Sequence, residues 1–368
     1  MVEWKELGDF LNYEQPTPYL VKSTDYDNTY KTPVLTAGQS LLLGYTNESD
    51  GIYEANKDNP CIIFDDFTTS FHWIDYSFKV KSSAMKMLKP KKNTNFRYIY
   101  YAMQQINFVP QQHQRHWISK YSHFLIPAPS LSEQNRIVSI LDTFTESIEN
   151  LKKQITERKK QYEYYRDQLL DLEGKPGVKM MALGEICIIK NGYTPSTKNP
   201  EFWENGIIPW FTLEDIRKNG RILYDAIKHI TEKGVKRGGL FPKDSIIVST
   251  TATIGEYAII RTDFLCNQQI SCITIKEKEL LDIKYLYYLG DNIGKWCKKN
   301  INGGGSLLIL STSKLQNKVI PIPPLDEQKR IVSILDTFEA SITNLEAQLS
   351  LRQKQYEYYR NMLLTFDE

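Results

Sequence analysis

The sequence predicts an α+β chain of two mixed α/β domains, each followed by a long helix, with the two helices pairing as an antiparallel coiled coil under pseudo-twofold symmetry. Three observations predict it. Residues 126–170, IPAPSLSEQNRIVSILDTFTESIENLKKQITERKKQYEYYRDQLL, return without a gap at 320–364 as IPIPPLDEQKRIVSILDTFEASITNLEAQLSLRQKQYEYYRNMLL, an offset of 194 with two thirds of the positions identical. Both copies carry apolar residues at helical spacing. The regions outside the repeat alternate short β-like runs with polar loops. A fainter echo, WKELGDF at 4–10 against MMALGEI at 180–186, marks the start of each half. The order is therefore variable, repeated, variable, repeated. The expected boundaries are 1–125 and 178–319 for the variable domains, 126–177 for the first helix with its joint, and 320–368 for the second helix; EGKPG at 173–177 forms the joint, since Gly and Pro end helices and supply turns.

Each repeat opens on a Pro-x-Pro segment that disfavours helix. Ser132 and Asp326 are the expected N-caps, with Ser130 and Glu133 offering a competing capping box in the first copy. Beyond them Ile137, Leu141, Phe144, Ile148, Leu151, Ile155, Arg158, Tyr162, Tyr165 and Leu169 step by four and three, as do Ile331, Leu335, Phe338, Ile342, Leu345, Leu349, Arg352, Tyr356, Tyr359 and Leu363. That is a heptad seam sustained over four to five heptads, the mark of a coiled coil. A helix of about 38 residues is about 57 Å long. Antiparallel pairing sets Leu141 against Tyr359, Phe144 against Tyr356, Leu335 against Tyr165 and Phe338 against Tyr162. It also sets Arg158 and Arg352 opposite Ile342 and Ile148, where each can snorkel outward. Parallel pairing would bring Arg158 onto Arg352, a like-charge clash. The middle tyrosine of each QYEYYR, Tyr164 or Tyr358, flanks the seam and is open to a neighbouring domain or partner.

In the variable domains, CIIFDDF at 61–67 and SFKVKSS at 77–83 read as strands, as do EICIIKNG, DSIIVSTT, EYAIIRT and SCITIK in the second half; short helices are expected near 96–105 and 283–295. The loops between them are rich in small polar and amide side chains. Thr36, Gly38 and Gln39, then Asp66, Thr68 and Thr69, then Gln112 and Arg115 are the candidates in the first domain, with Lys79 and Lys81 among a basic group that includes Lys86, Lys89, Lys91 and Lys92. The second domain offers Thr212, Glu214, Asp215, Thr250, Thr251, Thr253, Asn267, Gln268, Gln269, Gly304 and Ser306, with Lys233, Lys236, Arg237, Lys298 and Lys299 as its basic residues. Amide, guanidinium and hydroxyl groups read base edges, and Gly and Ser let backbone approach phosphates, so this chemistry suits DNA. The competing reading is an ordinary solvated surface, where the same loop residues are common.

Other functions lack their residues. Net charge is +2, which neither requires nor excludes nucleic acid. Five scattered cysteines form no C-x-x-C pair, as expected of reduced thiols. HQRH at 113–116 lacks Cys or carboxylate partners at metal-site spacing, so no metal is expected. GDNIGKW at 290–296 is one residue short of a Walker A loop and lacks the Ser/Thr after Lys; NPEF at 199–202 lacks the second proline of an adenine methyltransferase site. No catalytic residue is assigned. No apolar run approaches a membrane span, and the N-terminus lacks the basic and apolar regions of a signal peptide.

The element IPxPxLxEQxRIVxILD, closing a variable domain and opening a long helix twice, resembles the specificity subunit of type I restriction–modification systems. The likeness covers essentially the whole chain and extends to LGD/LGE, TPVLTAG, FDDFT, TIG and CNQ. It implies two target recognition domains that each read half of a split, asymmetric double-stranded DNA site, and a coiled coil that spaces them. It implies docking of two methyltransferase subunits and, through them, restriction subunits, with S-adenosylmethionine and ATP held by those partners and none in this chain. It also implies a cytoplasmic bacterial or archaeal protein. QQHQRHW at 111–117 has no counterpart to NGGGS at 302–306, so the two readers are expected to differ in chemistry. The alternatives are a self-contained nuclease or methyltransferase, which would bind cofactor alone, and a coiled-coil scaffold, which would lack DNA affinity.

Overall fold

A computed structural model describes residues 2–38, 40–110, 114–301 and 308–366. The chain forms two compact units, Met1–Lys153 with Glu346–Glu368, and Gln154–Leu345. Each long helix therefore supplies one stretch to each unit.

The first unit carries strands β1 (Glu3–Glu6), β2 (Leu11–Glu14), β3 (Thr32–Leu35), β4 (Leu42–Thr46), β5 (Cys61–Asp65), β6 (Phe71–Ile74), β7 (Lys79–Val80), β8 (Met85–Pro90) and β9 (Leu125–Ala128), with a lateral helix at Phe96–Met103. Four form an antiparallel sheet in the order β2-β8-β5-β6, three form β4-β3-β7 with β3 parallel to β7, and β1 pairs with β9. Every residue of β5 except Asp65 is buried, because the sheet is covered on both faces. Ile62 and Phe64 join Leu88, the lateral helix and the long helices in one core; Cys61 and Ile63 join Met85, Met87, Leu35 and Val80 in another. The period-two alternation of a strand thus sorts neighbouring side chains into two layers.

The second unit repeats this order. Its strands are β10 (Lys179–Ala182), β11 (Cys187–Asn191), β12 (Ile208–Phe211), β13 (Ile222–Leu223), β14 (His229–Ile230), β15 (Ser245–Ser249), β16 (Tyr257–Ile260), β17 (Leu265–Cys266), β18 (Ile270–Ile275) and β19 (Val319–Ile322), with a lateral helix at Ile283–Lys299. The sheets are β11-β18-β15-β16-β13, β14-β12-β17 and β10-β19, which match those of the first unit strand for strand except for the added β13. Again Ile246 and Val248 face the helices while Ile247 faces the small sheet.

The repeated element can be read residue by residue. The first proline of its Pro-x-Pro lies in a strand of a two-stranded sheet, Pro127 opposite Trp4 and Pro321 opposite Met180, and the second follows the strand end. Tyr98 and Tyr285 of the lateral helices donate their hydroxyls to the carbonyls of Pro127 and Pro321 at 2.9 and 3.1 Å. The long helices, Leu131–Leu170 and Leu325–Leu364, begin before Ser132 and Asp326, so neither is the N-cap. Ser130 accepts from the Glu133 N–H at 3.3 Å, while Glu133 turns to Arg136 rather than closing the box. Gln134 and Gln328 are buried and donate back to the carbonyls of Pro129 and Pro323. Ile137, Leu141, Ile331 and Leu335 are fully buried. Asp142 accepts from Arg97 and Tyr101; Asp336 accepts from Lys284 and Tyr288.

Pairing of the helices is antiparallel in both units. In the first, Ile137 and Leu141 share a core with Leu363 and Leu364, and Phe144 stacks on Tyr359 at 5.2 Å. In the second, Ile331 and Leu335 share a core with Leu169 and Leu170, and Phe338 stacks on Tyr165 at 5.4 Å. The register expected from Phe144–Tyr356 is corrected: Phe144 meets Tyr359, because Tyr356 turns to Tyr101 and Gln104 of the lateral helix. Tyr162 keeps a looser contact with Phe338 at 6.5 Å and turns its hydroxyl to Glu339. The guanidinium groups of Arg352 and Arg158 lie over the rings of Phe144 and Phe338, at 5.6 and 5.9 Å. Tyr165 and Tyr359 are 47% and 38% exposed, because only one face of each ring is covered. Ile155 is buried; Ile148, Leu151, Ile342, Leu345 and Leu349 are half-buried.

Glu339 sits among Tyr162, Tyr287 and Tyr288 with Lys284 and Asp336 nearby, and burial pushes its carboxyl above the ordinary range. Its charged form is therefore disfavoured in the folded state, and stability falls as pH rises through its folded pKa. Glu339→Gln should raise the melting midpoint at pH 8, and the difference should vanish near pH 4, where the wild-type group is protonated. Parallel melts of both proteins across this range check it.

Candidate nucleic-acid interface

The small sheet of each unit ends in loops that gather at one end of the main sheet. In the first unit, the turn after β3 is set by Thr36, whose hydroxyl accepts from the Gly38 N–H, and the Gly38 carbonyl meets His72 Nε2 at 3.1 Å. The β5–β6 hairpin tip is folded by Asp65, which accepts from the N–H groups of Phe67 and Thr68, and passes through Thr69 at φ +57°. The segment 114–117 is tied to this tip because the Asp66 carbonyl accepts from His116 N–H and its carboxylate from Trp117 N–H. His72 lies in β6, a strand the sequence did not signal, and was not among the expected residues.

The second unit builds the same end differently. Thr212 and Asp215 form a capping box on the helix Leu213–Asn219, and Asp215 also accepts from Ile227 N–H at 2.6 Å. Asn267 N–H donates to the Phe211 carbonyl, and Asn267 Oδ1 accepts from Gln269 N–H. Thr250 N–H donates to the Gln269 carbonyl, and the hairpin tip turns through Ala252 at φ +63°. Thr194, which follows β11, donates to Gln268. Turn residues in NGYTPST were the available sign of this missed participant.

The expected contact residues separate by exposure. Thr68, Lys81, Arg115, Glu214, Thr253 and Gln268 are exposed, and Thr36, Gly38, Thr212, Thr251, Asn267 and Gln269 are half-buried along the same loops; Glu214 is held by Lys218 at 2.7 Å. Gln39, Gln112, Gly304 and Ser306 lie outside the described residues. Five expectations are corrected. Asp66 and Lys79 are each 1% exposed and ion-paired, to Lys86 at 3.2 Å and to Glu48 at 2.9 Å. Asp215 is 1% exposed in its capping box, Thr250 lies under Ser271 and Gln269, and Thr69 is buried in its turn. These side chains shape the loops from beneath. The basic group of the first domain is likewise no surface patch: Lys86 is buried, Lys89 lies over Tyr53, and Lys91 donates to the Gly8 carbonyl.

All five cysteines are buried and free. No cluster of ligands suited to a metal is found among the described residues, and no helix there is long and apolar enough to cross a membrane. Asp66→Ala should cost about 3–5 kcal/mol by leaving the Lys86 ammonium buried without its anion. Denaturant unfolding should show that loss.

A family profile described as the type I restriction modification DNA specificity domain matches residues 1–158 and 176–352. The type I restriction enzyme EcoR124I/EcoR124II specificity subunit of Escherichia coli is 44% identical over 99% of this chain and 94% of its own length. A putative type I restriction enzyme specificity subunit of Haemophilus influenzae is 30% identical, covering 99% and 96%. Among solved structures, the S subunit of a type I restriction–modification system from M. genitalium superposes with a TM-score of 0.64 at 16% identity, over 100% of this chain and 97% of that one. The HsdS subunit from Thermoanaerobacter tengcongensis gives 0.51 at 16% identity, over 99% and 96%. With the repeat, the doubled strand order and these matches, the chain belongs to the family of type I restriction–modification specificity subunits.

Proposed function

We propose that the chain is the recognition subunit of a type I restriction–modification complex and reads an asymmetric, bipartite DNA target, one half with each unit. It performs no chemistry itself. The observation that carries this reading is the doubled strand order: one scaffold, used twice, ends in two loop sets of unlike sequence, and each is followed by nearly the same helix. Unlike loops on like scaffolds suit unlike half-sites. Two half-sites read by one protein follow the geometric logic of dimeric DNA readers, with the dimer built into a single chain.

The repeated helices offer two equivalent surfaces to two copies of one methyltransferase partner. Tyr164 and Tyr358 support this: they are 61% and 64% exposed and stand edge-on to Tyr165 and Tyr359. Exposed tyrosines on a rigid helix bring large apolar area at low entropic cost. S-adenosylmethionine, and the ATP used for translocation, belong to the partner subunits, and restriction subunits join through the methyltransferase.

Co-expression with the methyltransferase, followed by genome-wide mapping of methylated adenines, should return a split motif with unequal halves; a contiguous motif or none would sink the proposal. Within that motif, Arg115→Ala should relax only the half read by the first unit and Gln268→Ala only the other. Each loss of a base contact should cost about 1–3 kcal/mol. Equal weakening of both halves by either change would overturn the division of labour.

A further inference from the structure

The second unit carries a cationic arm between β14 and β15 that the first unit replaces with an acidic one. Residues 231–244, TEKGVKRGGLFPKD, hold four cations against two carboxylates; the topologically equivalent residues 47–60 of the first unit, NESDGIYEANKDNP, hold one lysine against four carboxylates. Two of those first-unit acids are committed internally, Glu48 to Lys79 and Asp50 to Lys22.

The arm is anchored at both ends and open at its tip. At its base Gly234 N–H donates to the Thr231 carbonyl, and Phe241 pairs through both backbone groups with Phe264. Tyr193 clasps the ascending side: its hydroxyl donates to the Gly234 carbonyl at 3.2 Å and accepts from Lys236 N–H at 2.8 Å, and the Lys236 ammonium lies 4.4 Å from its ring centroid. The tip closes as a turn, with Gly239 N–H donating to the Lys236 carbonyl. Arg237, Gly238, Gly239 and Leu240 are exposed, and a Cβ at either tip glycine would meet nothing within 4 Å. Lys233 is spoken for by Glu201 at 3.3 Å, while neither Lys236 nor Arg237 forms an ion pair among the described residues.

Tyr193, which clasps the arm, also ties it to the candidate reading loop. Tyr193 N–H donates to the Cys266 carbonyl, and the next residue, Thr194, donates its hydroxyl to Gln268. Unpaired cations and bare glycine backbone beside an amide-rich loop form the pattern of phosphate grip flanking base readout.

We propose that residues 233–240 grip the DNA sugar-phosphate backbone next to the bases addressed by the Gln268 loop, through Lys236, Arg237 and the Gly238–Gly239 backbone, and that the first unit has no such grip in this position. The inference rests on the recognition reading above and adds an unequal electrostatic share between the two halves.

The test is salt-dependent binding by the chain co-purified with its methyltransferase, on a duplex carrying the methylated target and on a scrambled duplex, between about 50 and 200 mM KCl. Each lost phosphate contact should make the slope of log K against log[KCl] shallower by about 0.9. Arg237→Gln should therefore shift it by about 0.9, and the double change Lys236→Gln with Arg237→Gln by about twice that. The weakening should be equal on both duplexes, with the methylated sequence unchanged and, for Arg237→Gln, the melting midpoint unchanged as well. Lys57→Gln in the first unit should leave the slope alone. An unaltered slope in the double variant overturns the proposal, as does weakening confined to the target duplex, which would mean base reading. Those outcomes are told apart from failure of the recognition reading itself, in which the unmodified complex would not distinguish the two duplexes and the arm would fall with it.

Discussion

The structure depends on a clasp between each long helix and a lateral helix. In the second unit Arg166, 7% exposed, binds Asp291 of the lateral helix and lies over Tyr162, whose hydroxyl reaches Glu339. In the first unit the matching residues, Tyr356 and Arg360, both donate to Gln104. These are the first tyrosine and the arginine of the two QYEYYR segments. The clasp is crossed with respect to sequence: the helix that follows the first α+β domain grips the lateral helix of the second, and the reverse. Each unit is thereby closed by chain far away in sequence, which explains why the hexapeptide is needed twice.

The clasps are alike in place and unlike in chemistry. Arg166–Asp291 is an ion pair largely removed from water, and Arg221 shares Asp291 from its other side. Its counterpart Arg360–Gln104 is charge to neutral amide. Glu339 likewise has Thr145 as its opposite number, whose hydroxyl meets Tyr101. The repeated helices can stay nearly the same because the lateral helices supply the compensating partners. On the far side of the main sheet no such requirement applies, and there the loops diverge. The sheet, buried on both faces, separates a surface that must repeat from one free to vary.

Much of this was legible in the sequence. The repeat gave the architecture, the four-three spacing gave both helices, and alternating apolar runs gave the central strands β5, β11, β15, β16 and β18. The three-residue shift in register was not legible, since a tyrosine at a seam position can serve the partner helix or a third element, as Tyr356 does. The run SFKVKSS also marked β7, whereas the short β17 and the other strands of the small sheets left little periodicity to detect. Exposure of polar residues was the weakest inference. Lys79, Lys86, Asp66 and Asp215 look like surface chemistry by composition, yet their partners, Glu48, Asp66 and the backbone at Trp117 and Ile227, lie far off in sequence. Only folding brings those partners within reach, and only a paired charge tolerates such burial.

The crossed clasp makes the most direct test. Arg166→Gln lies in the helix that follows the first domain, yet its partner Asp291 belongs to the second. Half-site-resolved DNA binding, using duplexes in which one half of the target at a time is scrambled, should show that this change erodes discrimination of the second unit's half and spares the first. Erosion of the first half alone, or of both equally, would contradict the account.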